Sequence, residues 1–161
     1  MAKPGLAVSV IGAGQATAQE SAWAEEVGRL LAERGAVVVC GGLGGVMEAA
    51  CRGARAAGGL TVGILPGYDR AVANRWTEVA IATGLAEARN VIVAASGDGV
   101  IAIGGSLGTL SEIAFALKLR RPVVTLGSWH LDPKHLPDQA RPFAAETPAE
   151  AVDLLFHHLR T

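Results

Sequence analysis

Short apolar runs alternate with longer segments of helical periodicity through most of this chain. Within each run the apolar residues are contiguous, which is typical of strands that are buried on both faces of a parallel sheet. The predicted strands span residues 6–11, 36–40, 60–65, 77–81, 100–103, 122–126 and 143–145. The predicted helices span residues 19–34, 46–57, 83–95 and 109–119, and a last one starts at residue 147. This order predicts an α/β protein: a single-domain Rossmann-like fold over residues 1–161, with a doubly wound, mainly parallel sheet flanked by helices and a site at the carboxyl ends of the strands.

Three glycine-rich turns follow predicted strands and lead into predicted helices. Such a turn points several backbone N–H groups and the positive end of the helix dipole at one spot, which favours an anion and above all a phosphate. The residues of the three turns are Gly12 and Gly14, then Gly41, Gly42, Gly44 and Gly45, and finally Gly104, Gly105, Ser106, Gly108 and Thr109. Two of these helix starts, after the second and third turns, could hold one phosphorylated sugar from two sides.

The spacing Thr-x-x-Glu occurs at three predicted helix starts, beginning at Thr17, Thr109 and Thr147. It is the signature of a capping box, in which each side chain accepts a hydrogen bond from the other residue's backbone N–H. At Thr17 and Thr147 we interpret it as capping alone. The glycines before Thr109 are not needed for capping, and a carboxylate is repelled by a phosphate beside it. Glu112, placed on the first helical turn, is therefore a candidate catalytic residue, whereas Glu48 is interpreted as a favourable first-turn charge.

Arg89 is a second candidate, because the predicted helix around it is apolar on nearly every side. A helix of this kind is buried, and a buried arginine requires a partner. Either Arg89 pairs with a structural carboxylate elsewhere or reaches the surface, or it supplies positive charge to the site.

The sequence disfavours a dinucleotide-binding fingerprint and excludes a Walker loop. A dinucleotide fingerprint requires an acidic residue near the end of the second strand, where this chain has Val39, Cys40 and Gly41. A Walker loop requires a lysine after a glycine, and no glycine of this chain is followed by lysine.

The composition indicates which classes of binding partner to expect. The net charge is -1, with three lysines and seven aromatic residues, so we expect no nucleic acid partner. No apolar run is long enough to cross a membrane, and we expect a cytoplasmic protein. Half of the residues are apolar and the mean hydropathy is +0.35, which favours a homodimer or a higher homo-oligomer.

The remaining reactive side chains give no metal or disulfide prediction. Cys40 and Cys51 are interpreted as free structural thiols. His130 and His135, in an irregular segment over residues 127–142, match no common ligand spacing, so we assign no metal. Residues 68–76 form another irregular segment, which is predicted to be a binding loop.

Several motifs resemble those of the Lonely Guy (LOG) family. Residues 104–112 resemble the family's PGGxGTxxE motif, residues 41–48 resemble its other glycine-rich motif, and Arg89 falls at the family's functional arginine. Residues 44–48, 63–66 and 88–90 look closer to small bacterial LOG-like proteins related to molybdenum cofactor carriers. Three departures leave the substrate open: Gly104 replaces proline, Ser106 replaces glycine, and Asn90 replaces a lysine of the cytokinin-activating enzymes.

The resemblance implies two functions. LOG enzymes cleave the N-glycosidic bond of nucleoside 5'-monophosphates such as AMP, releasing the base and ribose 5-phosphate without a cofactor. Glu112 and Arg89 would then be catalytic, with Met47, Asn90 and the glycine-turn residues binding substrate and phosphate. A carboxylate near the sugar would stabilise the positive charge of the transition state. The alternative is a carrier that binds the molybdenum cofactor, or a nucleotide, without turnover.

Overall fold

A computed structural model describes residues 5–160, and its centre is a seven-stranded sheet in which every strand pair is parallel. The strands are β1 (Ala7–Gly12), β2 (Val37–Cys40), β3 (Thr61–Leu65), β4 (Val79–Ala82), β5 (Gly99–Ile103), β6 (Val123–Leu126) and β7 (Phe143–Ala145). Their order across the sheet is β4-β3-β2-β1-β5-β6-β7. The predicted Rossmann-like α/β fold is confirmed, and each predicted strand lies within about two residues of its expected position.

Helices cover both faces of the sheet. They are α1 (Ala18–Glu33), α2 (Val46–Ala56), α3 (Arg89–Ser96), α4 (Leu107–Lys118) and α5 (Pro148–Arg160). On one face, α1, α2 and α5 pack over a core that includes Val8 and Ile101; on the other, α3 and α4 pack over a core that includes Ile11 and Val100. Successive strand residues point to opposite faces, so the contiguous apolar runs supply both cores. Within residues 5–160, no helix is long and apolar enough to cross a membrane.

The centre of the sheet contains a topological switch point. Strands β1 and β5 are neighbours, but the chain continues from β1 toward the β4 edge and from β5 toward the β7 edge. The helices that follow these two strands, α1 and α4, lie on opposite faces. A crevice opens at the carboxyl ends of two strands arranged in this way, and ligands of such folds bind there.

The third helix starts later than predicted. The sequence favoured a helix over residues 83–95 capped by Thr83, but α3 begins at Arg89, after a short 3-10 turn that opens at Ala86. The cause is the preceding backbone: Gly84 (φ +64°) and Ala86 (φ +50°) are both left-handed, a conformation that a right-handed helix does not contain. The Thr83 hydroxyl instead donates to a carbonyl at the end of β3, at 2.7 Å. Arg89 is therefore the first residue of its helix.

Helices α1 and α2 touch through their backbones. A Cβ atom at Gly28 would lie 2.0 Å from the carbonyl oxygen of Ala50, and one at Gly53 would lie 1.8 Å from that of Glu25. No side chain fits at either position, so the two glycines allow α2 to lie close against α1. This contact helps to fix the turn between β2 and α2, which forms part of the site.

Candidate ligand-binding site

A cavity of about 570 Å³ opens at the carboxyl ends of the strands, where the loops after β1 and β5 meet. Small-molecule sites usually measure roughly 300–1,000 Å³. The residues selected from the sequence that line it are Gly12, Gly14, Gly41, Met47, Arg89, Asn90, Ser106, Gly108 and Glu112. The fold thus brings all three glycine-rich turns and both candidate catalytic side chains to one place.

The other selected residues lie beside the cavity and shape its loops. Gly45 is left-handed (φ +66°), and a Cβ atom there would lie 2.2 Å from the carbonyl oxygen of Ala13, so the turn after β2 rests directly on the turn after β1. Gly105 is left-handed (φ +105°), and its Cβ would lie 2.3 Å from the hydroxyl of Thr109. The selected residues outside the lining are Gly42, Gly44, Gly45, Gly104, Gly105 and Thr109.

The Thr-x-x-Glu spacing before Glu112 is not a capping box. Helix α4 begins at Leu107, so Thr109 lies inside its first turn and Glu112 lies in the second turn rather than the first. At the start of α1, in contrast, Thr17 and Glu20 make both hydrogen bonds of a capping box. The threonine before α5 also accepts a backbone hydrogen bond. The capping box is confirmed at Thr17, whereas at Thr147 only the hydroxyl bond forms, because the Glu150 carboxylate accepts from the N–H of Glu146 instead. Glu112 takes no part in capping.

The start of α4 offers backbone donors to an anion. Ser106 is the N-cap residue; its carbonyl accepts the first helical bond from Leu110, at 3.0 Å, and its hydroxyl makes no capping hydrogen bond. The first N–H groups of a helix have no acceptor within the helix. Because Ser106 and Gly108 line the cavity, these donors and the positive end of the helix dipole border the space that a ligand would fill.

Glu112 borders the cavity but is only 6% exposed. Burial raises the pKa of its carboxyl group to about 7, and the Arg89 guanidinium opposes this rise. Near neutral pH such a carboxyl group is present in both protonation states, so it can transfer a proton or, once ionised, stabilise a positive charge.

Arg89 is 8% exposed, and its partner is the site carboxylate rather than a structural one. Its Nη1 lies 3.7 Å from Glu112 Oε1 and donates to Asn90 Oδ1 at 2.9 Å. Within the described part of the chain, the buried Nε has no hydrogen-bond partner. Gly41 makes room for the guanidinium, since a Cβ there would lie 2.6 Å from Nη1. Arg89 therefore retains donor capacity for a ligand.

Polar contacts that the sequence did not reveal hold the start of α4 in place. Asn90 Nδ2 donates to the hydroxyl of Ser111 at 3.2 Å, and that hydroxyl donates to the carbonyl of Gly108 at 2.6 Å. From beyond β6, Trp129 Nε1 donates to the carbonyl of Ser106 at 3.0 Å. These bonds connect the start of α3 and the segment after β6 to the start of α4.

One end of the cavity was missed by sequence analysis. The predicted binding loop over residues 68–76 does not line the cavity; it supports the lining instead, because Asn74 Nδ2 donates to the carbonyl of Leu43 at 2.9 Å. The sequence signal at this end was Pro66-Gly67, which marked only the end of a strand. The lining residues that were not selected are Ile11, Leu43, Pro66, Gly67, Ala86 and Glu87.

The cysteines and loop histidines lie outside the cavity. Cys40 and Cys51 are free and buried, with Sγ atoms 3.5 Å apart, and they pack with Met47 behind the cavity wall. The hydrogen bond with Cys51 and burial raise the pKa of the Cys40 thiol. His130 borders a separate small hollow. Among residues 5–160, no group of three or more His, Cys, Asp or Glu side chains could hold a metal ion.

The fold and the cavity together define a Rossmann-like α/β protein with a cavity of about 570 Å³ at its topological switch point. Comparison with known proteins identifies its family. The chain belongs to the SLOG cluster4 family, whose model matches residues 5–152. The wider resemblance to LOG-like proteins is thereby confirmed, while membership among the LOG enzymes themselves stays a prediction.

Individual relatives resemble the chain over nearly its whole length. An uncharacterized protein from Archaeoglobus fulgidus is 44% identical over 148 residues, which are 92% of this chain and 93% of that protein. The molybdenum cofactor binding protein from Rippkaea orientalis is 37% identical, with a TM-score of 0.89 over 98% of this chain and 99% of that chain. The molybdenum cofactor carrier protein from Chlamydomonas reinhardtii is 32% identical, with a TM-score of 0.87 over 97% of this chain and 99% of that chain.

Proposed function

We propose that this protein binds the molybdenum cofactor, or a closely related phosphorylated heterocycle, in the switch-point cavity and carries it without turnover. Two structural neighbours, at 37% and 32% identity, are described as a molybdenum cofactor binding protein and a molybdenum cofactor carrier protein. The cofactor is a pterin with a phosphate group, so a carrier requires a phosphate site and room for a flat ring.

The observation that carries the proposal is that two groups of hydrogen-bond donors border the same cavity. The start of α4 presents backbone N–H groups that no side chain caps, and Arg89 places a charged guanidinium in the cavity lining. A hydrogen bond to a charged group contributes roughly 1.5–3 kcal/mol, so an anionic ligand that accepts one from the guanidinium is favoured. The cavity volume of about 570 Å³ is also large enough for a pterin phosphate.

The cargo's metal would bring its own ligands. No cluster of three or more metal-ligating side chains occurs among residues 5–160. We therefore expect this chain to hold the cofactor by its phosphate and its ring, with the backbone at Ser106 and Gly108 and the side chains of Arg89 and Asn90 as contacts.

The test is mass spectrometry of small molecules that co-purify with the protein from cells supplied with molybdate. Arg89→Met is expected to lose at least about tenfold of any phosphorylated pterin, because it removes a charge-assisted contact. Arg121→Met is the matched control: its Nε is also buried without a partner in the described residues, but it does not line the cavity. Equal ligand content in Arg89→Met and the wild type would overturn the assignment of Arg89.

A second candidate function, phosphoribohydrolase activity on nucleoside 5'-monophosphates, is favoured by one specific observation. Glu112 is buried at the cavity beside Arg89, and its pKa is raised to about 7. Cleavage of the N-glycosidic bond builds positive charge on the ribose, and an ionised Glu112 would stabilise that charge and orient the attacking water. Arg89 would orient the substrate or balance charge around the departing base.

Turnover is tested by measuring ribose 5-phosphate released from AMP, CMP, GMP and IMP. If the protein is a hydrolase, Glu112→Gln should retain nucleotide binding and lose at least about a hundredfold in rate, in the range of a general acid or base. If it is a carrier, no base is released, and the substitution changes affinity little. Undiminished turnover by Glu112→Gln would contradict the catalytic assignment.

A further inference from the structure

The end of the cavity that lies away from α4 would contact the ring of a ligand whose phosphate is bound at the start of α4. The donors of α4 follow β5, while Pro66 and Gly67 follow β3, and two strands separate β5 from β3. Three interstrand spacings of about 4.8 Å place the two ends roughly 14 Å apart. This span suits a phosphorylated ligand that lies across the sheet edge, with its phosphate at α4 and its ring at the end beyond Gly41.

The wall at this second end is mainly apolar, with one carboxylate. Leu43, Met47 and Pro66 provide surface on which a flat ring can pack. Among the described residues that line the cavity, the ionisable ones are Glu87, Arg89 and Glu112, and the last two pair with each other at 3.7 Å. Glu87 is therefore the charged group that is available to a ring at this end.

Backbone hydrogen bonds hold the turn that contains Glu87 in place, whereas the carboxylate of Glu87 makes no hydrogen bond or ion pair among the described residues. The turn that contains it is held against the end of β3, because the N–H of Ala86 donates to the carbonyl of Pro66 at 2.9 Å. Two residues later, Arg89 anchors the start of α3 in the cavity wall. Within residues 5–160, the Glu87 carboxylate has neither an ion pair nor a hydrogen bond.

A carboxylate accepts two parallel hydrogen bonds from adjacent N–H donors on a planar group, and such charge-assisted pairs are strong and specific. Guanine and pterins both present a ring N–H beside an amino group. Adenine and cytosine present a ring nitrogen acceptor beside their amino group, which a carboxylate repels. Hypoxanthine has the ring N–H without the amino group.

We propose that Glu87 selects ligands whose ring carries an N–H next to an amino group, the donor pair shared by guanine and pterins, over adenine and cytosine. This inference rests on the proposed function, since it requires the phosphate to occupy the α4 end of the same cavity. It adds a specificity-determining residue, and it applies equally to a carried ligand and to a cleaved one.

The test is equilibrium dialysis of the full chain against GMP, IMP, AMP and inorganic phosphate, with chromatography to verify that each nucleotide stays intact. GMP is expected to bind about tenfold or more tightly than AMP, with IMP between them, because guanine donates two charge-assisted hydrogen bonds to the carboxylate, whereas adenine places a ring nitrogen acceptor against it. Glu87→Gln should weaken GMP at least about tenfold and favour AMP, because a glutamine amide can pair with adenine. Glu87→Ala should bind both with similar affinity, and Glu146→Gln, whose carboxylate is outside the cavity, should retain the preference.

The outcomes separate this inference from the function on which it rests. Equal affinities for GMP and AMP that both fall in Arg89→Met, with inorganic phosphate competing, would overturn the role of Glu87 and leave the phosphate site standing. An unchanged GMP preference in Glu87→Ala would do the same. If no nucleotide binds and inorganic phosphate does not bind either, the proposed function and this inference both fail.

Discussion

Arg89 and Glu112 show what sequence reasoning about single residues can and cannot reach. Both were selected from the sequence, Glu112 from the glycines before it and Arg89 from the apolar helix around it. Their pairing at 3.7 Å was not predictable, because they belong to different helices and only the packing of α3 beside α4 brings them together. Glu87 was missed because the sequence placed it inside the predicted helix over residues 83–95, where a single glutamate has no feature that distinguishes it from a solvated one.

Glu112 should make stability depend on pH. Its folded pKa of about 7 lies above the ordinary value of 4.5, so its stabilising contribution is complete below about pH 4.5 and is lost as the pH rises through 7. Between pH 5 and pH 8, the wild type should lose about 2–3 kcal/mol of unfolding free energy relative to Glu112→Gln. Urea denaturation at both pH values measures this difference. Glu146→Gln, an exposed control, should show no such change, and parallel curves for wild type and Glu112→Gln would contradict the burial of the carboxyl group.

We expect the substitution Gly41→Ala to leave the fold nearly as stable as the wild type but to weaken ligand binding. A Cβ atom there would lie 2.6 Å from Arg89 Nη1 and 2.6 Å from Met47 Sδ, both at or near the ends of flexible side chains that can move. We expect Gly41→Ala to displace the guanidinium and to weaken binding of a phosphorylated ligand by about tenfold, in line with loss of one charged hydrogen bond. The melting temperature should shift by only a few degrees. Unchanged affinity would mean that the guanidinium does not contact the ligand.

The elements were more predictable than their ends. Strands and helices followed from local signals, namely contiguous apolar runs, helical periodicity and glycine stops, and these signals located every strand of the sheet. The start of α3 was wrong because the left-handed backbone at Ala86 is rare for alanine. The start of α4 was placed too late because Thr109 was taken as the cap, whereas Ser106 holds the extended N-cap conformation. The close approach of α1 to α2 at Gly28 has no local signature.

In the turn between β2 and α2, we expect a side chain to be tolerated at Gly44 but not at Gly45. At Gly45, a left-handed φ and a Cβ position 2.2 Å from the Ala13 carbonyl combine against alanine. At Gly44, the nearest atom to a Cβ is 3.6 Å away, an ordinary contact. Gly45→Ala should therefore cost more than about 2 kcal/mol of unfolding free energy, and Gly44→Ala less than about 1 kcal/mol. Chemical denaturation of the two variants measures this, and equal costs would contradict the packing of the two turns.

Across the complete sheet, the fold class was predictable because the order of elements and the uninterrupted apolar strands leave few alternatives. The site was predictable where a glycine turn marked it and where Arg89 interrupted an apolar helical run. The end of the cavity that is lined by Pro66 and Glu87 is formed by segments that meet only once the sheet has formed. No local sequence pattern predicts that these segments line a site. Expectations about compartment and nucleic acid partners stay predictions.

The predicted self-association has a candidate surface on the edge strand. Val79 and Ile81 of β4 are exposed and pair with Val62 and Ile64. Ile64 belongs to the core covered by α3 and α4, and Val62 packs against that core. We expect a homo-oligomer that buries this face, and replacement of both Val79 and Ile81 by threonine should shift it toward the monomer. Light scattering after gel filtration measures the mass. A monomeric wild type would refute the expectation.

The switch point divides the cavity between two parts of the polypeptide. Gly12, Gly41, Glu87 and Arg89 precede β5, while Ser106, Gly108 and Glu112 follow it. A ligand that bridges the cavity touches both parts, so by mass action it must strengthen their association. If residues 1–96 and 97–161 are produced as separate polypeptides, we expect more of the two-chain complex to form when the small molecule that binds the cavity is supplied. The amount of complex recovered would then identify that molecule.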